Sequence, residues 1–251
     1  MPATPAWPPS SLPRLFVDQR LAPDCALTLD GPAANYLGNV LRLNTGAQLK
    51  LFDDRTGEWL AEITESSRKR VGVRILQLLR ERECVPDLWL LFAPIKHGRI
   101  DWLVEKATEL GIARLVPMET QRTIVERINA GRLRAHSIEA AEQCERTALP
   151  ELAPLTKLEK VLGDWPAERA LLFADEAGGK PLTDTATAGP AAILIGPEGG
   201  FTDEERAAIR AVAQAQPVSL GPRILRADTA ALAAISIWMA KAGDWSRHAV
   251  R

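Results

Sequence analysis

The stretch from Ala191 to Ala242 constrains the fold of this chain more than any other part of the sequence. It begins with the apolar run Ala191 to Ile195, which leads into the loop Gly-Pro-Glu-Gly-Gly at residues 196–200. A helical pattern follows at once, and Thr202 and Glu205 have the spacing of a capping box at its start. This order of features predicts a buried strand, a tight glycine loop and a helix.

A second unit of the same kind comes next. The predicted helix ends at residues 214–217, and Val218 to Leu220 form another short apolar run. The loop Gly-Pro-Arg at residues 221–223 then precedes a last helix that is predicted to begin near Asp228 or Thr229. Two strand–loop–helix units predict an open α/β sheet, whose ligands bind at the carboxyl ends of the strands. Both loops are therefore expected on the ligand side of the sheet.

The two loops match neither of the common phosphate-binding signatures. Neither contains GxxxxGK[ST], which argues against a triphosphate site, and Gly-Pro-Glu-Gly-Gly does not fit GxGxxG. Glycines allow unusual backbone dihedrals and let a flat group lie close to the backbone. Ordinary strand-to-helix turns are the alternative interpretation of either loop alone.

Composition indicates an ordinary globular protein, with 25% charged residues and a formal net charge of −1. This balance gives no overall electrostatic footprint for nucleic acid, although it is compatible with a local basic patch. The three cysteines, Cys25, Cys84 and Cys144, are far apart and form no CxxC pair. They predict reduced thiols in a cytoplasmic protein without a disulfide framework or a zinc site. No metal site and no membrane-spanning segment are expected.

The amino-terminal part predicts a small β domain. Residues 1–13 are rich in proline and lack the apolar core of a signal peptide, so a flexible leader is predicted there. From Arg14 to about Leu79, several strand patterns surround one short helix at residues 32–41, which is typical of a small β-barrel.

A charged segment at residues 79–87 precedes a change in the period at which apolar residues recur along the chain. We therefore predict one domain at residues 14–84 and a second at residues 85–251.

The second domain is predicted to contain a parallel sheet. Strand patterns at residues 88–94 and 112–118 flank a helix at 99–110, and such a βαβ unit implies a right-handed crossover. A long helix is predicted from about Arg132 to Ala148. A further strand, Leu171 to Ala174, leads into a third glycine-bearing loop.

Several blocks of the sequence resemble one family. IGPEGGFTDEE (195–205) and LGPRILRADTA (220–230) are similar to the paired signatures of the SPOUT-class methyltransferases. They resemble more closely the branch that methylates N3 of a uridine in bacterial 16S ribosomal RNA. Further blocks match this branch in order, at residues 36–53, 100–112, 119–127 and 139–152. One departure is Asp228, where the family usually carries glutamate.

The resemblance implies a fold and a cofactor. The fold is an N-terminal PUA-like β-barrel that binds RNA, followed by a C-terminal SPOUT α/β domain with a parallel sheet and a deep trefoil knot. The knotted loops bind S-adenosylmethionine. Mapped onto this chain, the cofactor-binding residues are Phe173, Ala174, Ile195, Gly196, Pro197, Glu198, Gly199, Gly200, Leu220, Gly221, Ile224, Leu225 and Arg226. The leucines and Ile224 would give the adenine apolar surface, with plain core packing as the alternative.

Methylation of uracil N3 makes three physical demands. The base must leave its stack, the N–H proton must be removed, and nitrogen, methyl and sulfur must line up. We hypothesise that Arg226 faces the uracil oxygens and stabilises the charge that spreads over them on deprotonation. A salt bridge from Arg226 to Asp228 is the alternative. Glu198 and Asp228 are predicted either to assist proton removal or to cap their own helices.

The resemblance also implies partners. The substrate is 16S ribosomal RNA in the small ribosomal subunit, and the enzyme is a homodimer. The helix Thr229 to Lys241 could pack against a partner helix or fill the core of its own chain. Contacts with RNA phosphates are predicted for Arg14, Arg42, Arg122 and Arg146, with ion pairs to neighbouring glutamates as the alternative. Two other functions stay open: 2′-O-ribose methylation of transfer or ribosomal RNA, and a non-catalytic role in ribosome assembly.

Overall fold

The chain folds into two compact units. The computed structural model describes residues 12–67, 69–96, 98–125 and 127–245. The first unit runs up to Cys84 and also contains Glu145–Ala148, which the sequence placed in the second domain. The second unit consists of Val85–Cys144 and of the chain from Leu149 onward.

The first unit is built on one five-stranded sheet. Its strands are β1 (Arg14–Phe16), β2 (Ala26–Asp30), β3 (Gln48–Phe52), β4 (Glu58–Ser66) and β5 (Arg70–Arg80), in the order β1-β3-β4-β5-β2. All neighbouring strands are antiparallel except β1 and β3. Where the sequence predicted one short helix, helix α1 (Gly31–Ala34) continues as a π-helical turn at Asn35–Val40.

Alternating side chains of these strands form the core of the first unit. Leu51, Ala61 and Val73 are fully buried on the same side, as the two-residue period of a strand requires. Of the predicted leader, Leu12 is buried and the Pro13 carbonyl accepts a hydrogen bond from Lys50 N at 2.8 Å. Residues 1–11 lie outside the described part of the chain.

A buried ion-pair network holds residues 145–148 in the first unit. Glu58 is 2% exposed and pairs with both Arg14 and Arg80. Each of these arginines also donates to a backbone carbonyl of residues 145–148. Burial alone would raise the pKa of Glu58, but hydrogen bonds from Arg80 and Arg14 lower it below its usual value.

The second unit contains a parallel sheet and six helices among the described residues. The strands are β6 (Leu88–Phe92), β7 (Arg114–Glu119), β8 (Glu151–Leu152), β9 (Thr156–Lys157), β10 (Ala170–Ala174), β11 (Lys180–Pro181), β12 (Ala191–Ile195) and β13 (Ala215–Ser219). The sheet order is β11-β13-β10-β12-β6-β7-β8, β9 pairs with β7, and every pairing is parallel. The helices are α2 (Arg99–Glu109), α3 (Ala130–Gln143), α4 (Leu158–Gly163), α5 (Leu182–Thr185), α6 (Asp203–Ala211) and α7 (Ala227–Lys241).

Side chains of the central strands alternate between two buried faces. Leu90 and Ile193 pack in one core with residues of α2 and α7, whereas Leu91 and Leu194 pack in another with residues of α4 and α6. Burial on both faces explains why these strands read as unbroken apolar runs. The predicted parallel α/β sheet is confirmed, and the trefoil knot stays a prediction. No helix in the described part of the chain is long and apolar enough to cross a membrane.

The long helix predicted at residues 132–148 is shorter in the structure. Helix α3 ends at Gln143, and Glu145 has a φ of 62°. A residue in this left-handed region cannot continue a right-handed helix. Residues 145–148 instead make the contacts with the first unit that are described above. The helical pattern is overridden there by tertiary contacts.

Candidate functional site

Three glycine loops meet at the carboxyl edge of the parallel sheet. They follow the neighbouring strands β10, β12 and β13, and they surround a cavity of about 680 Å³. This volume lies within the roughly 300–1,000 Å³ that is usual for small-molecule sites. The loops therefore form a site at the edge of the sheet where the sequence predicted the ligand.

Most of the predicted cofactor residues line this cavity. They are Ala174, Ile195, Gly196, Pro197, Glu198, Gly200, Leu220, Gly221, Ile224, Leu225 and Arg226. Phe173 does not, because alternate residues of β10 face opposite sides and its side chain is fully buried in the core beside α4 and α6. Gly199 does not line the cavity either, and it lies against the aliphatic part of Arg122. Neither residue therefore forms part of the cavity wall, and their contact with the cofactor stays a prediction.

Two of the loop glycines are required for different reasons. A Cβ on Gly196 would lie 2.9 Å from the ring of Phe201, so the close packing of that ring requires glycine. Gly221 has a φ of 111°, which side-chain-bearing residues rarely adopt, and a Cβ there would meet no atom within 4 Å. The first glycine serves packing, and the second serves the path of the backbone.

Helix α6 anchors the loop that follows β12. The predicted capping box is present: Thr202 Oγ1 accepts from Glu205 N at 3.2 Å, and Glu205 Oε2 accepts from Thr202 N at 3.0 Å. Glu205 Oε1 also accepts from Gln121 N at 2.7 Å. Glu205 therefore fixes both the start of α6 and the segment that follows β7.

Arg99 connects the two carboxylates that the sequence singled out as candidate proton acceptors. Its Nη1 donates to Glu198 Oε1 at 2.7 Å, and its Nε lies 3.3 Å from Asp228 Oδ2. Sequence reasoning missed this residue. One signal was present, because a cation at the first residue of a helix faces an unfavourable dipole and therefore indicates a specific partner.

The surroundings of Asp228 do not support a role in proton removal. Its side chain is 9% exposed and lies outside the cavity lining. Its Oδ1 accepts from Thr229 N at 2.9 Å, while its Oδ2 faces Arg99. Of the two predicted roles of Asp228, these contacts favour the one at the start of α7. Glu198 lines the cavity, and its side chain is 47% exposed.

Arg226 lies at the edge of the cavity with an exposed side chain. Among the described residues no ion pair joins Arg226 to Asp228, whose carboxylate pairs with Arg99 instead, so the alternative prediction is wrong. Within the described residues, the guanidinium of Arg226 forms neither an ion pair nor a hydrogen bond. It is therefore available to a ligand in the cavity.

Asp175 secures the third glycine loop. It is the first residue after β10, it lines the cavity, and its side chain is 1% exposed. Arg206 and Arg210 of α6 both pair with it, and Ala177 N donates to its Oδ1 at 3.0 Å. Burial alone would raise the pKa of Asp175, but the hydrogen bond from Arg210 and the bond from Ala177 N hold it below its usual value.

The four arginines predicted to contact RNA differ in their surroundings. Arg14 and Arg146 have side chains that are each 6% exposed, and both form ion pairs inside the first unit. For both residues the structure thus shows the predicted alternative, an ion pair with a glutamate. Arg122 is exposed and donates to Gly199 O at 2.6 Å, so its surroundings are not the predicted glutamate pair. Arg42 is exposed, with a φ of 53°.

Comparisons with known proteins agree with these observations. The RNA methyltransferase domain family matches residues 82–239, and the RNA methyltransferase PUA domain family matches residues 29–76. A relative from Rickettsia conorii is 30% identical over 229 residues, which cover 89% of this chain and 93% of the relative. One from Synechocystis is 34% identical over 235 residues, which cover 89% and 76%. Both are named ribosomal RNA small subunit methyltransferase E.

Two solved structures have the same fold over nearly the whole chain. Ribosomal RNA small subunit methyltransferase E from Neisseria gonorrhoeae, bound to S-adenosylmethionine, is 28% identical with a TM-score of 0.85 and covers 93% of this chain and 99% of its own. A Legionella pneumophila structure, described as a methyltransferase in complex with the same cofactor, is 33% identical with a TM-score of 0.85 and the same coverage. The predicted PUA-like and α/β methyltransferase domains are confirmed. The chain thus belongs to the RNA methyltransferase family, among the relatives named ribosomal RNA small subunit methyltransferase E.

Proposed function

We propose that this chain transfers a methyl group from S-adenosylmethionine to N3 of the uracil at one uridine of 16S ribosomal RNA. The observation that carries the proposal is the cavity at the carboxyl edge of the parallel sheet, where the three glycine loops meet beside Arg226, which has no ion pair within the described residues. Two family members of the same fold are described with S-adenosylmethionine bound. The names of the curated relatives specify the RNA of the small ribosomal subunit.

The residues around the cavity fit this cofactor. Ile195 is buried, and Leu220 and Leu225 are partly buried, so the cavity has apolar wall for an adenine. The glycine loops bring backbone amides and carbonyls to the same wall, where they can hydrogen-bond a nucleoside. When bound, S-adenosylmethionine supplies an activated methyl group on a sulfonium.

The chain supplies positioning and charge stabilisation for this transfer. Uracil N3 becomes a good nucleophile only after it loses its proton, and the resulting charge spreads over the two carbonyl oxygens of the base. Arg226 stabilises that charge, since its guanidinium is exposed at the cavity and has no partner among the described residues. Glu198 is the acidic side chain we assign to proton removal, because it lines the cavity and is about half exposed.

Replacement of Arg226 tests this assignment. We expect Arg226→Ala to lower kcat by roughly 10²–10³-fold, as removal of an oxyanion donor does in other enzymes. The Kd for S-adenosylmethionine, measured by calorimetry, should stay the same because the side chain acts on the uracil. Full turnover of Arg226→Ala at saturating donor would contradict the catalytic role.

The remaining parts of the proposal concern RNA, assembly and location. Arg42 and Arg122 are the exposed arginines that we assign to RNA phosphates. Leu232 and Ile237 of α7 are only partly buried, which suits a helix that packs against a second copy in a homodimer. We also propose the trefoil knot at the glycine loops and a cytoplasmic location.

Nucleoside analysis tests the reaction itself. The full-length chain is incubated with labelled S-adenosylmethionine and small ribosomal subunits that lack the modification. We expect label in 3-methyluridine at a single site of the 16S RNA. Subunits that already carry the modification serve as the control and should take up no label. Label on a ribose 2′-oxygen, or no transfer at all, would contradict the proposal.

A further inference from the structure

The loop between β13 and α7 exposes one apolar and two cationic side chains at the edge of the cavity. Ile224 is 90% exposed, more than any other large apolar side chain in the described residues. Arg223 and Arg226 are exposed as well. As for Arg226, the guanidinium of Arg223 forms no hydrogen bond or ion pair within the part of the chain that the structure describes.

The other arginines around the cavity already have partners. These arginines, each paired with a carboxylate, are Arg99, Arg206 and Arg210. Glu176, an exposed carboxylate of the cavity, forms no ion pair with Arg223 or Arg226 among the described residues. The positive charge of this loop is therefore not neutralised by any residue that the structure describes, and it is available to an anionic ligand.

We propose that Arg223 and Ile224 form a subsite for a nucleotide next to the target uridine, in which Arg223 binds a backbone phosphate and Ile224 packs on a base or ribose. The inference rests on the proposed function and adds to it. Arg226 acts on the target base, whereas this subsite holds the RNA beside it.

The chemistry of an extruded base supports this division. When a uridine leaves its stack to reach a cavity, the phosphates beside it come to the edge of that cavity. A cation there binds a phosphate, and an apolar side chain can occupy space beside unstacked bases. Leu220 and Leu225 of the same loop are partly buried, so the apolar wall for the donor does not need Ile224.

The salt dependence of RNA binding separates the two residues. Binding of small ribosomal subunits that lack the modification is measured by filter retention at several KCl concentrations, without donor. We expect Arg223→Ala to weaken binding roughly tenfold. The slope of log K against log salt should become shallower by about 0.7, the value for one phosphate contact on a single strand. Arg223→Lys keeps the charge and should keep the slope.

Replacement of Ile224 should behave differently. An apolar contact releases no counterions, so Ile224→Ser should weaken binding while the salt slope stays the same. Sedimentation of this variant should match that of the wild type. Lys160→Ala is the matched control, because it removes one exposed positive charge on α4, outside the cavity lining. It should change the affinity for subunits by less than about twofold.

Three results would overturn the inference. The first is wild-type affinity and slope for Arg223→Ala. The second is a loss of S-adenosylmethionine affinity in Arg223→Ala as large as its loss of RNA affinity, which would place Arg223 in the donor site. The third is an altered oligomeric state of Ile224→Ser, which would make Ile224 a contact between copies of the chain. A wild-type chain that binds subunits with the expected salt slope but transfers no methyl contradicts only the proposed function.

Discussion

At the carboxyl edge of the parallel sheet, Arg99 connects three elements that are far apart in the sequence. It is the first residue of α2, Glu198 belongs to the loop after β12, and Asp228 lies in the first turn of α7. One guanidinium can bridge both carboxylates because it presents several donors in a fixed plane. Arg226 has no carboxylate partner among the described residues, although Asp228, which pairs with Arg99, is only two positions away.

Loss of Arg99 should loosen the wall of the cavity to which we assign S-adenosylmethionine. We expect Arg99→Ala to weaken S-adenosylmethionine binding by roughly tenfold, the effect of one or two charge-assisted hydrogen bonds, as measured by calorimetry. Arg99→Lys should recover part of the affinity, because an ammonium reaches one carboxylate but does not span both. Lys106 on the same helix pairs with surface glutamates, and Lys106→Ala is the control. Equal donor affinity in Arg99→Ala and Lys106→Ala would refute this role.

Asp175 should make stability depend on pH in the acid range. Its folded-state pKa is lowered, so its carboxylate contributes stability that is fully present above the ordinary value of 3.8 and is lost as pH falls through the lower folded-state value. Asp175→Asn should therefore cost about 2 kcal/mol in the free energy of unfolding at pH 7. The difference from wild type should shrink as pH falls below 3.8, which urea titrations at pH 7 and at acid pH would measure. A difference that is the same at both pH values would rule out the ionised pair.

Among the elements, α6 shows how a local motif and distant contacts combine. The capping box between Thr202 and Glu205 involves residues three positions apart and forms as the sequence predicts. The same helix carries Arg206 and Arg210, which reach Asp175 across the cavity wall. Helix α6 therefore fixes the loop that precedes it and also the loop that follows β10.

Removal of the cap should destabilise α6 by a predictable amount. Thr202→Ala loses one bond to a helix N-terminal N–H and should lower the free energy of unfolding by about 1 kcal/mol. Glu205→Ala should cost more, because it also leaves Gln121 N without its acceptor. Thr183→Ala changes an exposed threonine of α5 and should stay within about 0.5 kcal/mol of wild type. Urea unfolding measures all three, and a smaller effect for Glu205→Ala than for Thr202→Ala would contradict this account.

On the scale of the whole molecule, the net charge does not show where positive charge is available on the surface. The formal net charge is −1, and many arginines are used inside the fold, including Arg14 and Arg169 with 6% exposed side chains. A cation that is buried against a carboxylate contributes little field outside the protein. The positive charge available to RNA therefore has to be identified residue by residue, and we propose Arg223 and Arg226, which have no ion pair among the described residues, as one such place.

Donor binding should stabilise one part of the molecule selectively. At a concentration of about 100 times its Kd, S-adenosylmethionine should add about 2.7 kcal/mol to the stability of the unit that binds it. In hydrogen exchange, we expect slower exchange in the loops after β10, β12 and β13. Peptides from β4 and β5 of the first unit serve as the internal control and should not change. Equal protection of both units, or none in the loops, would contradict a donor site in this cavity.

The sequence by itself determined the features that depend on neighbours along the chain. The apolar strands, the glycine loops and the cap of α6 could be predicted because their hydrogen bonds and burial follow from short-range patterns. Only the tertiary structure decided the partners of the charged residues. Arg99 and Glu198 are 99 positions apart, and no local pattern states that they meet. For the same reason Arg14 and Arg146 resembled RNA contacts in the sequence, and the end of α3 was predicted too late. The partners of these arginines come from elsewhere in the fold. Likewise, the long-range contacts of residues 145–148 outweigh the local helix propensity at the end of α3.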